Sequence, residues 1–277
     1  MSGKRSTFLI SALAFGFAFL YVPILLVIIY SFNEGKLVTV WSGFSTKWYV
    51  SLFNNDGMID AAWNSLRIGV MSATLALALG TPAGLVMSRF GRFKGRTLFS
   101  GMIAAPLVMP EVITGLSLLL LFVTLEQIVG WPAGRGISTI TIAHSTFCAA
   151  YVAVVVQSRL SGMDISVEEA AMDLGAKPGK IFFVITLPMI LPALLAGWLL
   201  SFTLSLDDLV IASFVAGPGS TTLPMKVFSS VRLGVSPEIN ALATLIILAV
   251  SILIVIASIM ILRSERMRNR SANASDI

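Results

Sequence analysis

Three carboxylates stand where an apolar chain has least room for them. Glu111 follows Pro110 inside the apolar run Leu98–Leu125, and the pair Asp207-Asp208 interrupts the run Met189–Ala216. A carboxylate near the centre of a bilayer costs about 2.5–3.5 kcal/mol on insertion scales, so such residues usually face a bundle interior or a wet pathway. The chemistry they offer is charge compensation, because a cation that sheds water needs acidic or aromatic groups in place of its hydration. Counted back from Gly217, the two aspartates lie about three helical turns from the end of their run. Neighbours on a helix diverge by about 100°, so Asp207 and Asp208 are not expected to face one small site. One would face a pathway and the other accept hydrogen bonds from neighbouring helices, with no basis in the sequence for choosing between them. The competing reading makes all three acids structural or interfacial.

Little else in the chain carries chemistry. His144 is the only histidine and has no acidic or thiol partner at a metal-binding spacing, so it reads as a packed or hydrogen-bonded residue. Cys148 is the only cysteine; it lies in an apolar run and reads as a small packed side chain. The nearest approach to a phosphate-binding loop, Gly175 to Gly179-Lys180-Ile181, is one residue short between its glycines and has Ile181 where a hydroxyl would hold magnesium. Gly217-Pro218-Gly219-Ser220 reads as a turn. No arrangement of serine, cysteine or carboxylate argues for catalysis, and none for a cofactor or metal held by this chain.

The elements that must position these residues are membrane helices. The chain is 56% hydrophobic and 12% charged, with a mean hydropathy of +0.91, so the bilayer is its solvent. A spanning helix needs about 20 apolar residues, and six stretches approach this: Phe8–Phe32, Ser65–Ser88, Leu98–Leu125, Ile137–Gln157, Met189–Ala216 and Ile239–Leu262. Lys4-Arg5 precedes a run too long for a signal peptide, which predicts a retained first span. Gly80, Pro82 and Gly84 are expected to interrupt the second span, and Pro106 and Pro110 fall in the third.

Basic residues sort the loops. Arg89, Arg92, Lys94 and Arg96 follow the second span, Arg159, Lys177 and Lys180 the fourth, and Arg263, Arg266, Arg268 and Arg270 the sixth. The positive-inside rule places both termini and the segment at about 159–188 in the cytoplasm, and residues 33–64, with Trp41, Trp48 and Tyr49, outside. The net charge of +5 is spent in this asymmetry and does not call for nucleic acid.

The segment 159–188 reads as a helical hairpin. Ser166 with Glu169 forms a capping box at a helix start, and Val167, Ala170, Ala171 and Leu174 fall on one face with Glu168, Glu169 and Asp173 on the other. Gly175 supplies a left-handed stop, and Pro178 opens a second short helix running through Phe183 toward Pro188. A helix lying on lipid would carry Lys or Arg and bulky anchors; this one has acids and alanines.

That spacing, Glu169-Ala170-Ala171, three residues, Gly175, nine residues, Ile185, one residue, Leu187-Pro188, resembles the cytoplasmic loop of the permease subunits of ATP-binding-cassette importers. Phe202 to Asp208, Gly217-Pro218, Leu223-Pro224, Gly234 with Pro237, Asn240 to Thr244, Ser31-Phe32-Asn33 and Asn64-Ser65-Leu66 look like the polyamine branch of that family, and Pro106 to Gly115 looks like permeases of putrescine systems. The resemblance spans nearly the whole chain.

It implies an all-α polytopic membrane protein with about six transmembrane helices and the type I importer permease fold, residues 1–277 forming one domain in the bacterial inner membrane. Glu169, Ala170, Ala171, Gly175, Ile185, Leu187 and Pro188 would couple to the ATPase, and Glu111, Asp207 and Asp208 are candidates for the substrate pathway. The implied partners are a second homologous permease subunit, an ATPase dimer holding ATP and magnesium, and a periplasmic polyamine-binding protein. Putrescine is the expected substrate, with spermidine or mixed polyamine uptake as the alternative. A membrane anchor that recruits an ATPase without moving solute is the alternative of another class. A secondary transporter is disfavoured, since no internal repeat is evident.

Overall fold

A computed structural model describes residues 7–37, 40–234, 237–252 and 255. The helices are α1 (Thr7–Ser31), α2 (Lys47–Phe53), α3 (Asp56–Arg89), α4 (Arg96–Val108), α5 (Glu111–Val129), α6 (Ile137–Ser161), α7 (Ser166–Asp173), α8 (Pro178–Ile181), a π-helical turn (Phe182–Thr186), α9 (Leu187–Asp207), α10 (Val210–Val215), α11 (Leu223–Leu233) and α12 (Pro237–Ile252). Among the described residues there is no β-strand beyond an isolated bridge between Asn33 and Phe44. Five helical stretches among the described residues are long and apolar enough to cross a membrane: α1, α3, α5, α6 and the continuous Pro178–Asp207; α4 and α12 are apolar but shorter. The protein is thus all-α and polytopic. The expected sixth span, Ile239–Leu262, is described only through 252 and at 255, and the remainder lies outside the described residues.

The chain divides into two compact units, residues 57–228 and a second made of 1–56 with 229–277. In the first, α6 is the most buried span. Its residues Cys148, Val152, Val156 and Leu160 pack with Ala76 of α3 and with Ile190 and Leu194 of α9, while Ile140 and Ala143 pack with Ile68, Phe122 of α5 and Ile211, Ala212 and Val215 of α10. Gly80 and Gly84 are correctly helical and do not interrupt α3; they let it approach α6. A Cβ at Gly80 would lie 2.6 Å from the Ala149 carbonyl oxygen, and one at Gly84 2.7 Å from that of Ala153. This is the spacing of small residues by which membrane helices bring their backbones together. Ser72 Oγ donates to the Thr141 carbonyl across the same seam.

Three other expectations give way to backbone physics. The third span is two helices, because Pro110 lacks an N–H and forces the preceding residue out of the helical region: Met109 is extended, at φ −74° and ψ 137°. The second short helix does not end near Pro188. It continues through the π-turn into α9, where Leu187 N–H reaches back five residues to Phe182, a register that absorbs the missing N–H of Pro188. α3 begins at Asp56 rather than Ser65, and Asn64 and Ser65 on it pin the turn after α10: Asn64 Nδ2 donates to the carbonyls of Gly219 and Thr221, and Ser65 Oγ accepts from Leu223 N–H.

The second unit is organised around Asn33, which is buried after α1. Its Nδ2 donates to the carbonyls of Leu37 and Val40, its Oδ1 accepts from Ser42 N–H, and its carbonyl accepts from Trp48 Nε1. Glu238 of α12 takes hydrogen bonds from Ser51 and Asn55.

Candidate functional site

The helix that carries the aspartates ends between them. Asp207 is the last residue of α9, Asp208 is extended at φ −66° and ψ 125°, and the chain restarts as α10 at Val210. The expectation that the two cannot serve one site assumed an unbroken helix and fails for that reason: both line the same cavity, and Glu111 lines it too. This cavity, of about 430 Å³, is bounded by the α4–α5 break at Leu107 and Met109, by Phe147 and Tyr151 one turn apart on α6, and by the α9–α10 break. Two broken helices therefore face each other across one space.

The two aspartates have different surroundings. Asp208 is buried and its Oδ2 accepts from His144 Nε2 at 3.1 Å and from Ala212 N–H at 2.7 Å, while Oδ1 accepts from Ile211 N–H at 3.2 Å. It caps the first turn of α10, which leaves its N–H groups unpaired otherwise. His144, itself fully buried, is held on its other side by Ser205 Oγ, 2.7 Å from Nδ1. His144 thus has the acidic partner that the sequence did not reveal. The pair is separated by 64 positions, and only the break in α9 turns Asp208 toward α6.

Asp207 is exposed and has no ion-pair partner among the described residues. It sits at the C-terminal end of α9, where the helix dipole is already negative, an unfavourable place for an acid and a favourable one for a bound cation. Glu111, also exposed, lies in the first turn of α5. The aromatic faces of Phe147 and Tyr151, 6.2 Å apart, complete a surroundings suited to an ammonium group. Sequence reasoning missed these two aromatics; their spacing of four on an apolar helix was the available signal.

The hairpin at 159–188 presents a second surface. α7 starts at Ser166, but its N-cap is Ile165, and no capping box forms. Asp164 takes that role by accepting the Ser166 N–H at 3.0 Å, and its hydrogen bonds to the Ser166 backbone and hydroxyl hold its carboxyl below the usual range. Gly175, at φ +80°, closes the helix as expected: its N–H donates to the Met172 carbonyl and that of Ala176 to Ala171, a Schellman turn. Val167, Glu169, Ala170, Met172 and Leu174 are exposed, Leu174 at 90%. Ala171 and Ile185 are half-buried, Leu187 packs against the α6–α9 core, and Pro188 is exposed. Glu168 departs from the expected polar face and turns inward, against Arg89 at 3.1 Å.

A family profile described as a binding-protein-dependent transport system inner membrane component matches residues 80–269. The chain belongs to that family. Among its relatives is the putrescine transport system permease protein PotI of Escherichia coli strain K12, 64% identical over 96% of this chain and 95% of that one. The spermidine/putrescine transport system permease protein PotC of the same strain is 44% identical over 91% and 93%. The solved structures it resembles include a bacterial ABC transporter involved in import of the acidic polysaccharide alginate, with TM-score 0.70 and 17% identity over 94% of this chain and 97% of that one. A second is the methionine ABC transporter MetNI, with TM-score 0.60 and 18% identity over 75% and 95%. These likenesses place the transport component's fold among the type I importer permeases.

Proposed function

We propose that this permease subunit forms part of the translocation pathway of an ATP-binding-cassette importer for putrescine. The observation that carries this reading is the 64% identity to a permease named for putrescine transport, extending over 96% of the chain. The acid-lined cavity supports it: a diamine crosses as a cation, and Asp207, Glu111, Phe147 and Tyr151 compensate its lost hydration. Asp208 contributes by holding the break that exposes Asp207.

The residues 1–277 act as one permease domain with both termini in the cytoplasm, beside a second homologous permease. A periplasmic polyamine-binding protein docks outside, and an ATPase dimer, which holds the ATP and magnesium, docks on Glu169, Ala170, Ala171 and Leu174 inside. Closure of that dimer moves α7, with Gly175 as the rigid corner and Ile185, Leu187 and Pro188 joining the hairpin to α9. This subunit itself performs no hydrolysis. The 44% identity to a spermidine/putrescine permease keeps mixed polyamine uptake as the second reading.

The test is uptake of labelled putrescine into proteoliposomes holding the permease pair and the ATPase. Accumulation that requires both internal ATP and the external binding protein is the expected result. ATPase recruitment without uptake of putrescine or spermidine would refute it in favour of a membrane anchor.

A further inference from the structure

Glu168 stands one residue before the docking pattern, yet it faces the opposite way. Its side chain and that of Arg89 are each only 13% exposed. Glu168 Oε2 lies 3.1 Å from Arg89 Nε, and Oε1 accepts from Arg89 Nη2 at 3.3 Å and from Thr186 Oγ1 at 2.9 Å. Arg89 Nη1 also donates to the Leu160 carbonyl at 3.1 Å. Four elements meet here: the last residue of α3, the last turn of α6, α7, and the π-turn that leads into α9.

α7 packs mainly against α8 rather than against α3, α6 or α9. Between α7 and the membrane helices lies a cavity of about 140 Å³, lined by Leu85, Phe90, Met172, Ile181 and Phe182 around the ion pair. Arg89 and Glu168 bridge it: Nη2 donates one charge-assisted hydrogen bond to Oε1, Nε lies beside Oε2 as an ion pair without a hydrogen bond, and Nη1 ties the guanidinium to the Leu160 carbonyl. Thr186 adds the connection to the π-turn, the irregular turn at which α8 and α9 differ in register, and such turns are places where helices bend.

We propose that the Arg89–Glu168–Thr186 cluster is the force-bearing link between α7 and α3, α6 and α9, which makes Glu168 a positioning residue for transport. This rests on the reading that the outer face of α7 docks the ATPase. The two faces divide the work: Glu169, Ala170 and Leu174 receive the partner's motion, and Glu168 on the reverse face passes it into the bundle. When the ATPase dimer displaces α7, the pull on Thr186 acts on the stem of α9, whose far end carries Asp207.

The test uses the complete complex, reconstituted with the partner permease, ATPase and binding protein. Glu168→Gln keeps the shape and one acceptor oxygen but removes the charge; Thr186→Val removes only the link to the π-turn. ATPase recovered with the permease, ATP hydrolysed and putrescine accumulated are measured on each. Glu168→Gln is expected to retain the ATPase while putrescine moved per ATP falls about tenfold, within the usual range of coupling between sites. Thr186→Val should fall in the same direction, and the double variant should be no worse than Glu168→Gln alone, since both cut one link.

Wild-type putrescine per ATP in an assembled Glu168→Gln complex overturns the proposal. So does loss of ATPase in proportion to loss of uptake, which marks a structural brace. If Glu168→Gln fails to assemble, Thr186→Val decides: an unchanged ratio rejects the link and a reduced one supports it. Leu174→Asp, on the exposed face, separates this result from failure of the docking reading. If Leu174→Asp keeps the ATPase and transports normally, docking on α7 is wrong; if it strips the ATPase while Glu168→Gln transports normally, only the link is wrong.

Discussion

Neutralising Asp207 and Asp208 separately should produce two different defects. In Asp208→Asn the amide carries one acceptor oxygen where the carboxylate has two, and three donors point at it: His144 Nε2, Ile211 N–H and Ala212 N–H. If the amide oxygen takes the place of Oδ2, it keeps His144 and Ala212 but turns its NH2 against the Ile211 N–H. If it takes the place of Oδ1, it keeps Ile211 and orphans the other two. Each buried donor left unpaired costs about 1–3 kcal/mol, and breaking a buried charge contact outright costs about 3–5 kcal/mol. The change is therefore expected to destabilise by about 2–4 kcal/mol, lowering the yield of assembled complex and its melting temperature. Asp207→Asn removes a charge from an exposed side chain without an ion-pair partner among the described residues, so stability should shift by less than about 0.5 kcal/mol. Uptake should fall, with assembly and binding-protein affinity intact. Detergent-solubilised complexes, compared by size-exclusion melting and by uptake in proteoliposomes, measure both. The division of roles is refuted if Asp208→Asn melts like the parent or if Asp207→Asn fails to assemble.

Three further outcomes are open to direct measurement. Gly84→Leu should separate α3 from α6, because even a Cβ there meets the Ala153 carbonyl oxygen at 2.7 Å; overpacking of this kind costs about 1–3 kcal/mol, to be read as loss of folded protein on a size-exclusion column. Gly175→Val should cost about 1–2 kcal/mol in the left-handed region and reduce ATPase recovered in a pull-down, and normal uptake in an assembled complex would exclude the proposed corner. With Cys148 replaced by a small residue, a cysteine at Ser45 or Thr221 should react with an impermeant thiol reagent in intact cells and one at Lys94 only after permeabilisation.

How much of this was legible beforehand depended on the distance over which each cause acts. The stop at Gly175 and the turn at Gly217 to Ser220 follow from a few neighbouring residues, and the structure has both. Most of the spans follow from composition, because bilayer thickness imposes their length; the third run is two helices, and the sixth lies partly outside the described residues. The helix starts one residue before the position that a Ser166 cap implies, since Asp164 accepts the Ser166 N–H and the Ile165 carbonyl takes the Glu168 and Glu169 N–H groups. Periodicity alone puts Glu168 on a polar face. Its true environment depends on Arg89 and Thr186, which lie 79 and 18 positions away and which no helical repeat predicts. Likewise His144 looked isolated because Asp208 is 64 residues distant.

The two helix breaks explain why the acids could be recognised and yet not placed. Pro110 breaks the third run for a reason visible in its chemistry, the missing N–H. Nothing of the kind marks Leu206 to Leu209, where the break in α9 is held by tertiary contacts: Asp208 gives its carboxylate to α10 and to His144, and Ser205 fixes the imidazole from the preceding turn. Such a break is stable only while its acceptor is satisfied, since an exposed polar backbone at membrane depth is tolerated only where it is buried in protein or lines a cavity. The cavity and the break therefore require each other. The cavity accommodates the opened backbone of α9, and the opened backbone presents Asp207 and the negative end of the α9 dipole to the cavity. A chain with an unbroken helix at this point would keep both aspartates yet turn one of them away, which is why the exposed Asp207 depends on Asp208, which lines the same cavity from its buried side while holding the break.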